Sequence, residues 1–129
     1  MPEVLHLVVV GAHLRGEPLN HELTALGATF VQATRTAAGY RMYALPGALE
    51  KPGLVRVTEA GRAFEVEVWS VPSARFGELM EKVRSPLCIG TVLLEGGVQA
   101  LGFLCEAFAV AQARDISEYA GWRDYRARR

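Results

Sequence analysis

His13 and Arg15, set between Gly11 and Gly16, are the residues of this sequence best placed to do chemistry. They belong to the stretch Val8-Val9-Val10-Gly11-Ala12-His13-Leu14-Arg15-Gly16-Glu17-Pro18-Leu19-Asn20. The apolar run from Leu5 to Val10 predicts a strand that delivers the chain into a loop opening at Gly11 and turning again at Gly16. Pro18 suits the first turn of a following helix, where its missing N–H costs nothing. A strand, a glycine-punctuated loop and a helix start gather several backbone N–H groups, and such a concavity favours an anion. The backbone of Gly11, Ala12 and Leu14, together with Arg15, is therefore the candidate anion-holding set. His13, with an ordinary pKa of about 6.5, can pass a proton at neutral pH. The same stretch also reads as a plain structural turn.

Other polar residues are secondary candidates. Phe64-Glu65-Val66-Glu67-Val68-Trp69 alternates with period two, so Glu65, Glu67 and Trp69 share one face of a strand. Trp69 can partly desolvate Glu67, which raises a carboxyl pKa and suits a general base. The alternation fits equally two solvent-facing glutamates paired with Arg or Lys. Tyr40, Arg41 and Tyr43 come from a neighbouring hairpin; Arg41 and Tyr43 are expected to line the His13 cavity as donors, while Tyr40 and Arg41 also fit a surface strand start. Asn20 can anchor a urea-type amide or simply bond the helix backbone. Glu106, just after an apolar run, can reach a cavity mouth. His6 lies within a strand and His21 on the helix after the loop. No metal and no cofactor are expected.

The elements that must position these residues follow from periodicity. Leu19, Leu23 and Leu26 predict a helix over 18–26, and Phe76, Leu79, Met80 and Val83 predict another over 74–83 with Ser73 as N-cap. Strands are expected over 28–36, 40–45, 54–58 and 64–69, with Ala38-Gly39 turning the second directly back on the first. Pro46 to Gly53 reads as a loop. Two apolar runs, 88–94 and 98–105, flank Glu95-Gly96-Gly97, a hairpin signal. The run 108–113 fits helix or strand. Trp122 and Tyr125 sit at helical spacing in a last segment, 118–128. Short strands in hairpins with two or three short helices predict an α+β fold, a small mixed, mainly antiparallel β-barrel.

Composition sets the bounds. The 129 residues suit one domain over 1–129 with a sizeable core. Fourteen Lys and Arg balance fourteen Asp and Glu, so no bulk charge recommends nucleic acid or a membrane. The start Met1-Pro2-Glu3 lacks the basic character of a signal peptide. No apolar stretch reaches the roughly 18 residues of a membrane span. Cys88 and Cys105 read as buried thiols, and the protein is expected to be cytoplasmic. The apolar 98–113 segment offers material for a homodimer.

Several blocks, taken together, carry a resemblance. They are Val10 to Asn20; Thr34-Arg35-Thr36-Ala37-Ala38-Gly39-Tyr40-Arg41-Met42-Tyr43-Ala44-Leu45; and Val68-Trp69-Ser70-Val71-Pro72 leading through Phe76-Gly77 to Pro86-Leu87-Cys88-Ile89-Gly90-Thr91-Val92. Gly102-Phe103-Leu104-Cys105-Glu106, Asp115-Ile116-Ser117 and Gly121-Trp122-Arg123 complete the set. In order and spacing the chain resembles the C-terminal domain of allophanate hydrolase, itself similar to the gamma-glutamyl cyclotransferase fold.

The resemblance implies a glycine-containing loop over an open cavity that takes a small-molecule anion or urea-derived acid. It implies a domain that promotes decarboxylation of a carboxylated urea-type product, with His13 as the catalytic group. The hydrolase's Ser–Ser–Lys amidase signature has no match, because Ser70, Ser73, Ser85 and Ser117 are isolated and neither Lys51 nor Lys82 has a serine at catalytic spacing. A separate amidase is thus an implied partner. Cyclotransferases use a glutamate in a Leu-Asp-x-x-Glu type motif, which Phe76-Gly77-Glu78-Leu79-Met80-Glu81 does not reproduce. A non-catalytic assembly module is the alternative reading, and a cyclotransferase using Glu78 or Glu81 a further one.

Overall fold

The fold is assembled on β1 (Val4–Val9). In the computed structural model, which describes residues 2–129, Leu7, Val8 and Val9 are fully buried, as a strand covered on both faces requires. β5 (Glu65–Pro72) runs antiparallel along one side of β1, and β7 (Gln99–Cys105) runs parallel along the other. β2 (Thr29–Arg35) lies outside β5 and β6 (Leu87–Leu93) outside β7, completing a five-stranded sheet. A second sheet has the order β4 (Lys51–Arg56), β3 (Tyr40–Leu45), β8 (Arg114–Asp115). The helices are short: α1 (His21–Thr24), α2 (Phe76–Met80) and α3 (Trp122–Arg128).

The α+β class with mainly antiparallel pairing holds, since β1–β7 is the one parallel pair among the named strands. The strands form two sheets around one core and not a closed ring of hydrogen bonds. Both contribute to that core: Met42, Ala44 and Leu54 from one meet Leu7, Val66 and Phe103 from the other. Where β4 crosses β7, Gly53 leaves room for the Cys105 side chain.

Several elements depart from expectation, each for a local reason. β3 does not return on β2: Ala38-Gly39 carries the chain from one sheet to the other, where β3 pairs with β4 and β8. The strand expected at 54–58 begins at Lys51, because β4 is an edge strand and Pro52 forfeits no bond that the sheet needs. The helix expected over 18–26 shortens to α1, since residues 14–20 are spent on tight turns, Glu17 N–H to Leu14 O (3.0 Å) and Asn20 N–H to Glu17 O (3.1 Å). Ser73 does not cap a helix; its hydroxyl donates to Pro2 O at 2.6 Å, and a 3₁₀ turn precedes α2. The 107–112 run is 3₁₀, and the last helix is confined to α3, with Trp122 and Tyr125 buried as their spacing implied. The β6–β7 hairpin forms as expected, with Gly96 and Gly97 both at φ above +80°. In the 98–113 segment Gly102, Phe103 and Cys105 are buried, and Val98 and Phe108 are its exposed large hydrophobics. Among the described residues no helix is long and apolar enough to cross a membrane.

β1 ends where the candidate loop begins, and Gly11 is held close. A Cβ there would overlap the Pro52 ring of β4 and stand 3.2 Å from Trp122 Cδ1. Gly11→Ala is expected to cost about 1–3 kcal/mol of stability through overpacking, read as a lower urea midpoint at unchanged slope.

Candidate functional site

The loop that leaves β1 has two faces with different chemistry. On one lies His13, with its side chain 11% exposed and Nε2 2.8 Å from Glu22 Oε1 of α1. The imidazole stacks on Phe103 of β7, ring centroids 4.8 Å apart and planes at 17°. Asn20 Nδ2 donates to His13 O at 2.8 Å, so Asn20 fixes the backbone of the loop and makes no capping bond to the helix. Burial pushes the His13 pKa below its ordinary 6.5. The bond and charge of Glu22 oppose that shift in part, while the positive charge of Lys51 adds to it. A cavity of about 200 Å³ opens beside the ring, walled by His13, Glu22, Lys51, Lys82, Arg84 and Phe103 among others.

On the other face lies Arg15. Its backbone N–H donates to Glu67 Oε1 at 2.9 Å and its Nε to Glu67 Oε2 at 3.2 Å. Trp69 Nε1 donates to Glu67 Oε1 (3.2 Å) and Arg123 of α3 to Glu67 Oε2 (3.3 Å). The anion this side of the loop receives is the protein's own carboxylate. Glu67 is 2% exposed. Burial alone would raise its pKa, but the Arg15 N–H, the Trp69 indole, the Arg15 side chain and the Arg123 charge outweigh burial and hold it below 4.5. The expectation of a raised, base-like Glu67 is thereby corrected, because Trp69 acts as a donor as well as a cover. The neighbouring cavity, about 420 Å³, is lined by Arg15, Glu67 and Arg123, groups already committed to one another. Arg15 also lies flat over Phe30, its Cζ 3.7 Å from the ring centroid.

The structure therefore separates residues that the sequence grouped. His13 and Arg15 flank Leu14, a buried residue, and serve opposite sides of the loop. Leu14 N–H closes a turn on Gly11 O at 3.0 Å, and Ala12 O accepts from Leu19 N–H at 2.8 Å, so these backbone groups shape the loop. Gly11 and Ala12 line a small recess of about 20 Å³ shared with His13 and Lys51. Tyr40 is fully buried and its hydroxyl accepts from Leu93 N–H at 2.8 Å. Arg41 pairs with Asp115 across β3–β8 at 2.8 Å. Tyr43 is half-buried on the same strand, opposite Gly53 and Asp115. None of these three borders the His13 cavity.

Glu65 is exposed. Glu78 is taken by Arg75 and Glu106 by Ser85. His21 bonds Pro18 O at 2.9 Å and His6 is exposed on β1. Burial raises the pKa of both free thiols, Cys88 and Cys105. The groups missed from sequence are Glu22, Lys51, Lys82 and Arg84, which come from three separate regions. Their one visible signal was scarcity, since Lys51 and Lys82 are the only lysines in the chain.

Comparison with known proteins agrees with this architecture. The model of the allophanate hydrolase C-terminal domain matches residues 5–127. A urea amidolyase of Lachancea kluyveri is 44% identical over 124 residues, which cover 92% of this chain and 7% of that protein. The chain thus spans a small fraction of the curated relative's length. Allophanate hydrolase of Kluyveromyces lactis superposes with a TM-score of 0.94 at 41% identity, over 97% of this chain and 21% of that one. A protein specific to uropathogenic E. coli superposes with a TM-score of 0.90 at 34% identity, over 100% of this chain and 99% of that one. A gamma-glutamyl cyclotransferase shares the fold, with a TM-score of 0.58 at 13% identity over 88% of this chain and 70% of that one.

Proposed function

Because the chain belongs to the allophanate hydrolase C-terminal domain family, we propose that it promotes decarboxylation of the product of amide hydrolysis of a carboxylated urea, with His13 as proton donor. Hydrolysis of the terminal amide of such a urea releases ammonia and leaves one nitrogen flanked by two carboxylates. Loss of CO2 then breaks a carbon–nitrogen bond, the electron pair stays on nitrogen, and that nitrogen takes a proton. The imidazolium of His13 supplies the proton and is left neutral; the products are CO2 and carbamate. A positioned general acid of this kind is worth about 10²–10⁴-fold in rate.

The observation that carries this reading is the His13–Glu22 contact on the wall of a cavity lined by cations. An ionised carboxylate only accepts, so Nε2 keeps its hydrogen in the neutral ring and Nδ1 gains and loses the transferable proton. Glu22 is a positioning residue, and Phe103 and Asn20 fix the ring and its backbone. Amide hydrolysis is assigned to an amidase domain, on the same or another polypeptide. Three of the four isolated serines are occupied elsewhere: Ser73 bonds Pro2, Ser85 bonds Glu106 and Ser117 bonds Met42.

The test supplies a carboxylated urea and an amidase lacking this domain, and follows CO2 release with and without the chain. Release faster than spontaneous decay, in proportion to chain concentration, is expected. Release at the spontaneous rate at every concentration would remove the enzymatic reading and leave a docking module.

A further inference from the structure

We propose that Lys51 and Lys82 form the anion clamp of the His13 cavity and select a small substrate with two carboxylates over one with a single carboxylate. This rests on reading that cavity as the site of decarboxylation. It replaces Arg15 as the anion-holding group, since the Arg15 N–H and guanidinium are engaged by Glu67 on the other face of the loop.

Three observations converge on the lysines. They are the chain's only two, against twelve arginines, and both wall the same cavity of about 200 Å³. They reach it from different elements, Lys51 at the start of β4 and Lys82 just past α2. Among the described residues neither has a carboxylate oxygen within 4.0 Å; the Lys and Arg ion pairs of the fold are all made by arginine. The carboxylates facing them are already engaged, Glu22 with His13 and Glu78 with Arg75. Arg84 shares the wall but donates to Glu81 O.

The division of labour has a chemical reason. A guanidinium forks onto one carboxylate in fixed geometry, which suits permanent ion pairs. An ammonium group is a compact charge on a flexible stem with three rotating donors, so two of them can each take one carboxylate of a small dianion. Once one carboxylate has left as CO2, one lysine has lost its partner, and the product is held less tightly than the substrate was.

Malonate is the probe, because a methylene replaces the nitrogen and the two carboxylates remain without any reaction. Calorimetric titration of the whole chain at low salt is expected to show malonate binding at least tenfold tighter than acetate. Lys51→Met and Lys82→Met should each weaken malonate about tenfold, the worth of a hydrogen bond to a charged group, with melting temperatures near the parent's. His13→Asn should bind malonate within a few-fold of the parent. Malonate bound no tighter than acetate, or bound equally by the lysine variants, would overturn the clamp. Lysine-dependent malonate binding without any turnover would support the clamp while removing the decarboxylation reading. Parental turnover in both folded lysine variants would remove the clamp and leave the role of His13 standing.

Discussion

His13→Asn is expected to lose about 10²–10⁴-fold in the rate of chain-dependent CO2 release while melting within a few degrees of the parent. Asparagine keeps a hydrogen-bonding side chain beside Glu22 but cannot carry a transferable proton near neutral pH. Glu22→Gln should lower the rate less, because it leaves the imidazole in place, keeps an amide oxygen able to accept from Nε2 and removes only the carboxylate charge. The pH dependence separates a proton donor from a structural histidine. Burial holds the His13 pKa below 6.5, so kcat/KM for the chain-dependent part should rise as pH falls through 6.5 and level off at the lower folded value. A bound dianion raises the imidazole pKa again, so the same limb in kcat should lie at higher pH. Folding stability moves the other way: below 6.5 the unfolded chain takes up the His13 proton first, so the fold loses stability until the folded pKa is passed. His13→Asn should lack that loss. A folded variant with parental rate and an unchanged pH profile would make His13 structural.

Glu67→Ala is expected to destabilise the fold by about 2–6 kcal/mol, since each of two buried donors left without its acceptor costs about 1–3 kcal/mol. It would leave the Arg15 N–H and the Trp69 indole without their acceptor and untie α3 from the loop. Arg15 and Arg123 are half-exposed, with side chains 53% and 49% accessible, so their own charges return to water and the loss falls mainly on the buried donors. Glu67 has a folded pKa below 4.5. Its contribution is therefore complete above about pH 5.5 and is lost as pH falls from about 4.5 through the folded value. Urea midpoints measured from pH 7 to pH 3 should show this acid limb in the parent and a flatter one in Glu67→Ala. Equal stability and equal slopes would contradict the role of Glu67 as the tie between β5, the loop and α3.

Local patterns in the sequence determined a good part of this protein. Leu5 to Val10 marked the central strand, since apolarity on both faces suits a strand with neighbours on each side. Glu95-Gly96-Gly97 marked the hairpin through its two positive φ angles, and Trp122 with Tyr125 marked the buried face of the last helix. The Val10 to Asn20 block, with the others that accompany it, carried the family resemblance and put His13 forward. These features depend on neighbours within a turn or two, which order alone specifies.

Tertiary structure decided the rest, because it rested on partners distant in the chain. Period-two alternation assigned Glu67 a face but could not tell that the backbone of Arg15 and the side chain of Arg123 would meet it there. Those donors reversed the expected pKa shift and turned a candidate base into a structural anion. Ala38-Gly39 has the composition of a hairpin turn, yet the pairing of β2 with β5 sends β3 to the other sheet and carries Arg41 and Tyr43 away from His13. Glu22, Lys51 and Lys82 have unremarkable local contexts. They become a site only because α1, β4 and the end of α2 converge on one side of a loop whose other side is already filled by Glu67.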